Sequence, residues 1–184
     1  MEFYKSISNV KKGPILVLWI LVLLNPWSKH LVIAYPDGAP NHVCDTMQPS
    51  LQFHGPSIVG KDQKFPYKIV ASTSKIKPKQ GLAIKINGTI AYKGILLEAI
   101  HFPTGKKIGT FINPRPGTAI LKCTDGSIAI THDGTKLSLL NTQYFWRAPD
   151  IYIPGTVVFY ATIVIKKNFY YVKKPSQPIS LLPA

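Results

Sequence analysis

The sequence predicts an all-β domain, an antiparallel sandwich of about seven to nine strands. Three observations carry this expectation. Short apolar or alternating runs recur between turn signals, and residues 156–165 (TVVFYATIVI) are the strongest of them. Sixteen prolines and thirteen glycines interrupt the 184 residues, a spacing that suits short strands over long helices. Beyond residue 34 no stretch carries the apolar period of an amphipathic helix. With 46% hydrophobic and only 16% charged residues, the chain is also too apolar for wholesale disorder.

The opening residues set the compartment. Lys5, Lys11 and Lys12 precede the apolar run at residues 14–24 (PILVLWILVLL), which Asn25-Pro26 then breaks. A helix of this length rises about 16 Å, roughly half a bilayer core, so a cleaved signal peptide fits better than a membrane anchor. Ala34, with Val32 two residues before it, marks the cut, giving a leader at 1–34 and a secreted, extracellular mature chain. The net charge of +14 falls only to +11 when the four lysines and one glutamate of residues 1–34 are removed. Such an excess attracts anionic partners. Secretion argues against nucleic acid and for an extracellular anionic surface.

The elements follow in order. Residues 35–40 (YPDGAP) are turn chemistry, and residues 44–56 form an irregular, proline-bounded segment. Residues 65–70 alternate as a first strand, kept at an edge by Pro66. Lys75, Lys77 and Lys79 share one face if extended. Residues 82–86 make the next strand, ended by Asn87-Gly88. With Thr89 this is an N-glycosylation sequon at Asn87. Residues 90–99, around Tyr92-Lys93-Gly94-Ile95-Leu96-Leu97-Glu98-Ala99, read as a buried central strand. Residues 102–107 are an exposed basic loop, and strands follow near 109–111, 119–124 and 127–132. Residues 136–146 (KLSLLNTQYFW) read as one long or bulged strand. After 156–165, a short strand at 169–172 leads into a loose proline-rich tail, 173–184.

Chemistry is sparse. Cys44 and Cys123 are an even count in an oxidising compartment, which points to one structural disulfide, and without CxxC spacing they make a poor zinc site. His42, His54, His101 and His132 are scattered without metal-site spacing. Asp125, Asp133 and His132 could meet at one end of a sandwich, yet both aspartates precede glycine and are explained by turns. No nucleophile-elbow, phosphate-loop or dinucleotide motif is present, so neither an enzyme nor a cofactor is expected. The lysines are the functional lead: Lys75, Lys77 and Lys79, then Lys106 and Lys107, Lys166 and Lys167, and Lys173 with Lys174. They are the expected contacts to an anionic surface.

The order of several short motifs resembles the reeler domain family. These are residues 35–40, Cys44 with Met47 and Pro49, Pro66-Tyr67, residues 92–99, Gly109-Thr110-Phe111 and Cys123. Ile130-Thr131-His132, Trp146 with Ala148-Pro149, and residues 157–162 complete the series, which spans about 35–172. The resemblance implies an immunoglobulin-like β-sandwich with Cys44 bonded to Cys123. Short secreted chains holding only this domain resemble insect defence proteins, which implies a role in innate immunity. The implied partners are anionic microbial components such as lipopolysaccharide or other cell-wall polymers, with antimicrobial action a further expectation. A non-enzymatic matrix, egg-coat or cuticle adhesion protein is the alternative. Two departures from the family pattern stand out: Lys79-Gln80-Gly81 before the second strand, and the length of residues 136–146.

Overall fold

Alternation of large apolar residues with polar ones builds both sheets. A computed structural model describes residues 37–59, 63–134 and 138–184. Its strands are β1 (Tyr67–Ala71), β2 (Lys75–Ile76), β3 (Gly81–Gly88), β4 (Gly94–Phe102), β5 (Thr110–Ile112) and β6 (Thr118–Lys122). Then come β7 (Ile128–His132), β8 (Thr142–Arg147), β9 (Gly155–Lys166), β10 (Phe169–Pro175) and β11 (Ile179–Leu181). A four-residue helix, α1 (Leu51–His54), and a 3₁₀ turn at Asn41–Cys44 precede them.

One sheet has the order β1-β3-β8-β5; the other runs β2-β11-β9-β4-β7-β6, with β10 also paired to β9. All pairings are antiparallel except β11 with β2. This is the expected antiparallel sandwich, with eleven strands among the described residues. The excess over seven to nine comes from the two- and three-residue strands β2, β5 and β11.

The sheets meet on their alternating inner faces. Leu82, Ile84 and Ile86 of β3 and Tyr144 and Trp146 of β8 face Ile95, Leu97 and Ala99 of β4 and Phe159, Ala161 and Ile163 of β9. Trp146 is wholly buried and meets Phe159 edge-on, ring centres 5.3 Å apart. Its indole N–H donates to the Ile108 carbonyl at 3.1 Å, which satisfies the one polar group such a ring brings inside.

Three sequence expectations need correction. Residues 173–184 are not a loose tail: β11 pairs with β9 and β2, and Ile179 and Leu181 enter the core. Part of the expected tail also belongs to β10, which runs to Pro175 opposite Tyr160, while Pro178 lies just before β11 and leaves its pairing intact. Nor is the strand expected at 136–146 a single one over its described residues, 138–146. Leu139 makes an isolated bridge with Tyr92, Asn141 turns to φ 49°, and β8 starts at Thr142. The left-handed turn separates the two short extended pieces. The central strand, finally, begins at Gly94 rather than Ile90. The expected leader, residues 1–34, lies outside the described residues.

Candidate functional site

Functional interest lies on the outer face of the seven-stranded sheet, opposite the core. Because side chains alternate, β4 presents Gly94, Leu96, Glu98 and Ile100 there, and β9 presents Tyr160, Thr162 and Val164. The N-terminal segment 38–54 crosses the end of this face where Gly94 pairs with Val164. Four ties hold it. Cys44 is bonded to Cys123, and the Ala39 amide donates to Thr131 Oγ1 at 2.7 Å. Thr162 Oγ1 donates to the Met47 carbonyl at 2.7 Å, and His54 Nδ1 donates to the Lys167 carbonyl at 2.8 Å. Cys44, Met47, Leu96, Cys123 and Ala129 form a second apolar cluster under the segment.

Segment and sheet do not close fully on each other. A cavity of about 260 Å³ remains, with Gly94, Leu96 and Val164 on its sheet side and Val43, Met47 and Phe53 on its segment side. Lys93, Lys166 and Lys167 stand around it, and among the described residues no aspartate or glutamate lines it.

A second, polar cavity of about 640 Å³ opens further along β4. Glu98 lines it, is 1% exposed, and has no hydrogen-bond partner on either carboxylate oxygen among the described residues. Lys107 Nζ sits at 3.1 Å from Asp125 Oδ2 and 3.4 Å from Asp45 Oδ1. Burial pushes the Glu98 carboxyl up to about 7, against the opposing pull of Lys107 and Lys173. Asp125 moves the other way, to about 2, because the Ser127 hydroxyl and amide both donate to it, with Lys107 adding to the effect. For Lys107, burial alone would lower the ammonium, but Asp125 and Glu98 outweigh it and the net shift is upward.

The sulfurs of Cys44 and Cys123 and a Glu98 oxygen lie within 4.8 Å of one another. A metal would need thiolates there, and both sulfurs are committed to the disulfide. In the oxidised protein the group is a structural junction.

The sequence-predicted lysines do not converge on one patch. Lys75, Lys77 and Lys79 follow β2 and its exit turn, level with the Gly155 end of β9. Lys106 is exposed near that same end, since its carbonyl accepts from the His101 amide. Lys107 is largely covered and ion-paired, so it is unsuited to an external anion. Lys166 and Lys167 are exposed at the opposite end of β9, with Lys166 5.9 Å over the Phe169 ring.

The remaining candidates separate likewise. His132 pairs with Thr118 at one end of the β6–β7 hairpin, and Asp125 sits in the turn at the other, so Asp125 and His132 do not meet. His101 is buried between Thr104 Oγ1 and the Pro154 carbonyl, a structural role. Asn87 is exposed on β3, on the outer face of the four-stranded sheet. Two features escaped sequence reasoning. Glu98, the one acid in an apolar run, carried a visible signal; the cavity under segment 38–54 carried none, because that segment reads only as irregular.

Residues 42–183 match the Reeler domain family model. The chain belongs to the Reeler domain family. Its reeler fold is also that of the human F-spondin reeler domain, at TM-score 0.51 and 18% identity, covering 64% of this chain and 89% of that one. Relatives of this reeler protein fall into two kinds. "Putative defense protein 2" of Antheraea mylitta is 31% identical over 159 residues, 83% of this chain and 94% of that protein. "Putative ferric-chelate reductase 1 homolog" of Drosophila melanogaster is 32% identical over 156 residues, 80% of this chain and only 23% of that protein. The match to the reductase-named chain is thus confined to a region about the size of the reeler domain, while the defence-named chain is matched almost end to end.

Proposed function

We propose that this reeler protein is a secreted, non-enzymatic defence protein that binds anionic polymers and lipids of microbial surfaces. The observation that carries the reading is the near end-to-end match to chains named as defence proteins, joined to a net charge of +14. Among the described residues, ion pairs engage only Lys107 and Arg147 of the basic side chains. Lys75, Lys77, Lys79, Lys106, Lys166 and Lys167 are exposed and carry no ion pair among the described residues, which leaves their charge to a partner. The leader-like residues 14–24 support export.

The split of the lysines suggests how such binding would work. Lys75, Lys77 and Lys79 stand at one end of the twelve-residue β9, and Lys93, Lys166 and Lys167 at the other. The two ends lie roughly 36 Å apart at the usual rise per residue. That exceeds the Debye length of about 8 Å at physiological salt, so each end would meet its own anionic surface independently. A molecule of this kind can bridge two particles and clump them.

The test is co-sedimentation of the mature protein with intact bacteria and with lipopolysaccharide, at low and physiological salt, alongside a clumping assay. Binding should survive physiological salt. Charge reversal at either lysine set should abolish clumping while leaving binding through the other set. Absence of binding at both salts would reject this reading and favour a matrix or adhesion role.

A further inference from the structure

We propose that the cavity beneath segment 38–54 binds the hydrocarbon chain of a single-chain anionic amphiphile, such as a long-chain carboxylate. The inference does not depend on surface binding, since a soluble ligand is enough to test it.

The cavity has the two halves such a ligand needs. Its interior is apolar on both sides, from Leu96 and Val164 of the sheet to Val43, Met47 and Phe53 of the segment. At about 260 Å³ it approaches the lower end of ordinary ligand sites, about 300–1,000 Å³. Protein interiors otherwise pack to near-crystalline density, so a void of this size beside a segment held at four points is a built feature. Gly94 lets the strand side pack closely: a Cβ there would come within 3.1 Å of Val164 Cβ and 3.6 Å of His132 Cε1.

Charge selects the head group. Lys93, Lys166 and Lys167 line the cavity from the exposed positions at this end of β4 and β9; among the described residues none of them is ion-paired and no acidic side chain lines the cavity. A cationic rim over an apolar interior favours an anion tethered to a hydrocarbon chain over a neutral lipid or a free anion. The polar cavity around Glu98 offers the contrast: acidic side chains, Asp45, Glu98 and Asp125, line it, and its Lys107 is already paired with Asp45 and Asp125.

The experiment is a fluorescence titration of the full mature protein with dansylundecanoate, followed by competition with octanoate, laurate, lauryl alcohol and acetate. Each buried methylene is worth about a fourfold gain in affinity, so laurate should displace the probe far better than octanoate, and acetate not at all. Lauryl alcohol should bind about tenfold or more weakly than laurate. Reversing charge with Lys93→Glu and Lys166→Glu should bring laurate down to the level of the alcohol while leaving the alcohol unchanged. Val43→Phe, which fills the cavity, should weaken both ligands at least about tenfold, with circular dichroism reporting whether the sandwich is intact. The surface variants keep the test decisive if Val43→Phe does not fold. No probe binding, equal affinity for laurate and its alcohol, or laurate affinity indifferent to the lysine changes would each overturn the proposal.

Discussion

The two faces of the seven-stranded sheet are built to different standards. Its inner face closes against the other sheet with Leu97, Phe159, Ala161 and Ile163 fully buried and Trp146 capping them. Its outer face carries a small apolar cluster, two cavities and a buried carboxyl without a partner. One set of strands thus supplies both, since odd and even residues point opposite ways. The inner face specifies the fold. The outer face, secured by a disulfide in place of dense packing, is where departures from local consistency collect, as they do at functional sites.

Three variants would break or sharpen this contrast. Trp146→Ala removes the largest inner side chain and should cost about 3–5 kcal/mol in urea unfolding; a loss below about 1 kcal/mol would mean the inner face is not the stabilising one. Replacing Cys44 and Cys123 by serine opens a loop of 79 residues in sequence separation. It should cost about 2–4 kcal/mol globally, yet leave the near-ultraviolet spectrum of the core intact. Hydrogen exchange should then accelerate in segment 38–54 before it does in β3 or β8; uniform acceleration would show that the two faces unfold as one.

Glu98→Gln should have the smallest and the only stabilising effect. Its folded pKa of about 7 lies above the ordinary value of 4.5, so the native state holds the proton more tightly than the unfolded chain. The stability this contributes is complete below about pH 4.5 and is lost as pH rises through about 7. At pH 8 the variant should exceed wild type by roughly 1–3 kcal/mol, and near pH 4 the two should coincide. A difference that does not change with pH would show that Glu98 is not held as a buried charge.

The inner face was legible because it repeats. Leu82, Ile84 and Ile86, or Tyr144 and Trp146 with exposed Phe145 between them, announce both strand and orientation. What the sequence hid were non-local choices. Ile179-Ser180-Leu181 looks like part of a proline-rich tail until β9 and β2 are there to pair with it. Lysine clusters are equally visible as clusters, but only strand register reveals that Lys75 and Lys166 occupy opposite ends and that Lys107 faces Asp45 and Asp125. Glu98 was the exception, an isolated acid inside an apolar strand, and its burial could have been argued from the run itself.

The placement of β11 has a bearing on biosynthesis. The seven-stranded sheet joins β2 to β9 only through residues 179–181, with the Leu182 amide reaching back to the Ile76 carbonyl. Because β10 pairs with β9 from Tyr160 to Lys166, a growing chain leaves only the Gly155–Val157 end of that flank open until β11 follows. Until then this short stretch of β9 edge is open to pairing with another chain. The strand order thus leaves one short edge to be closed last, by the final strand among the described residues.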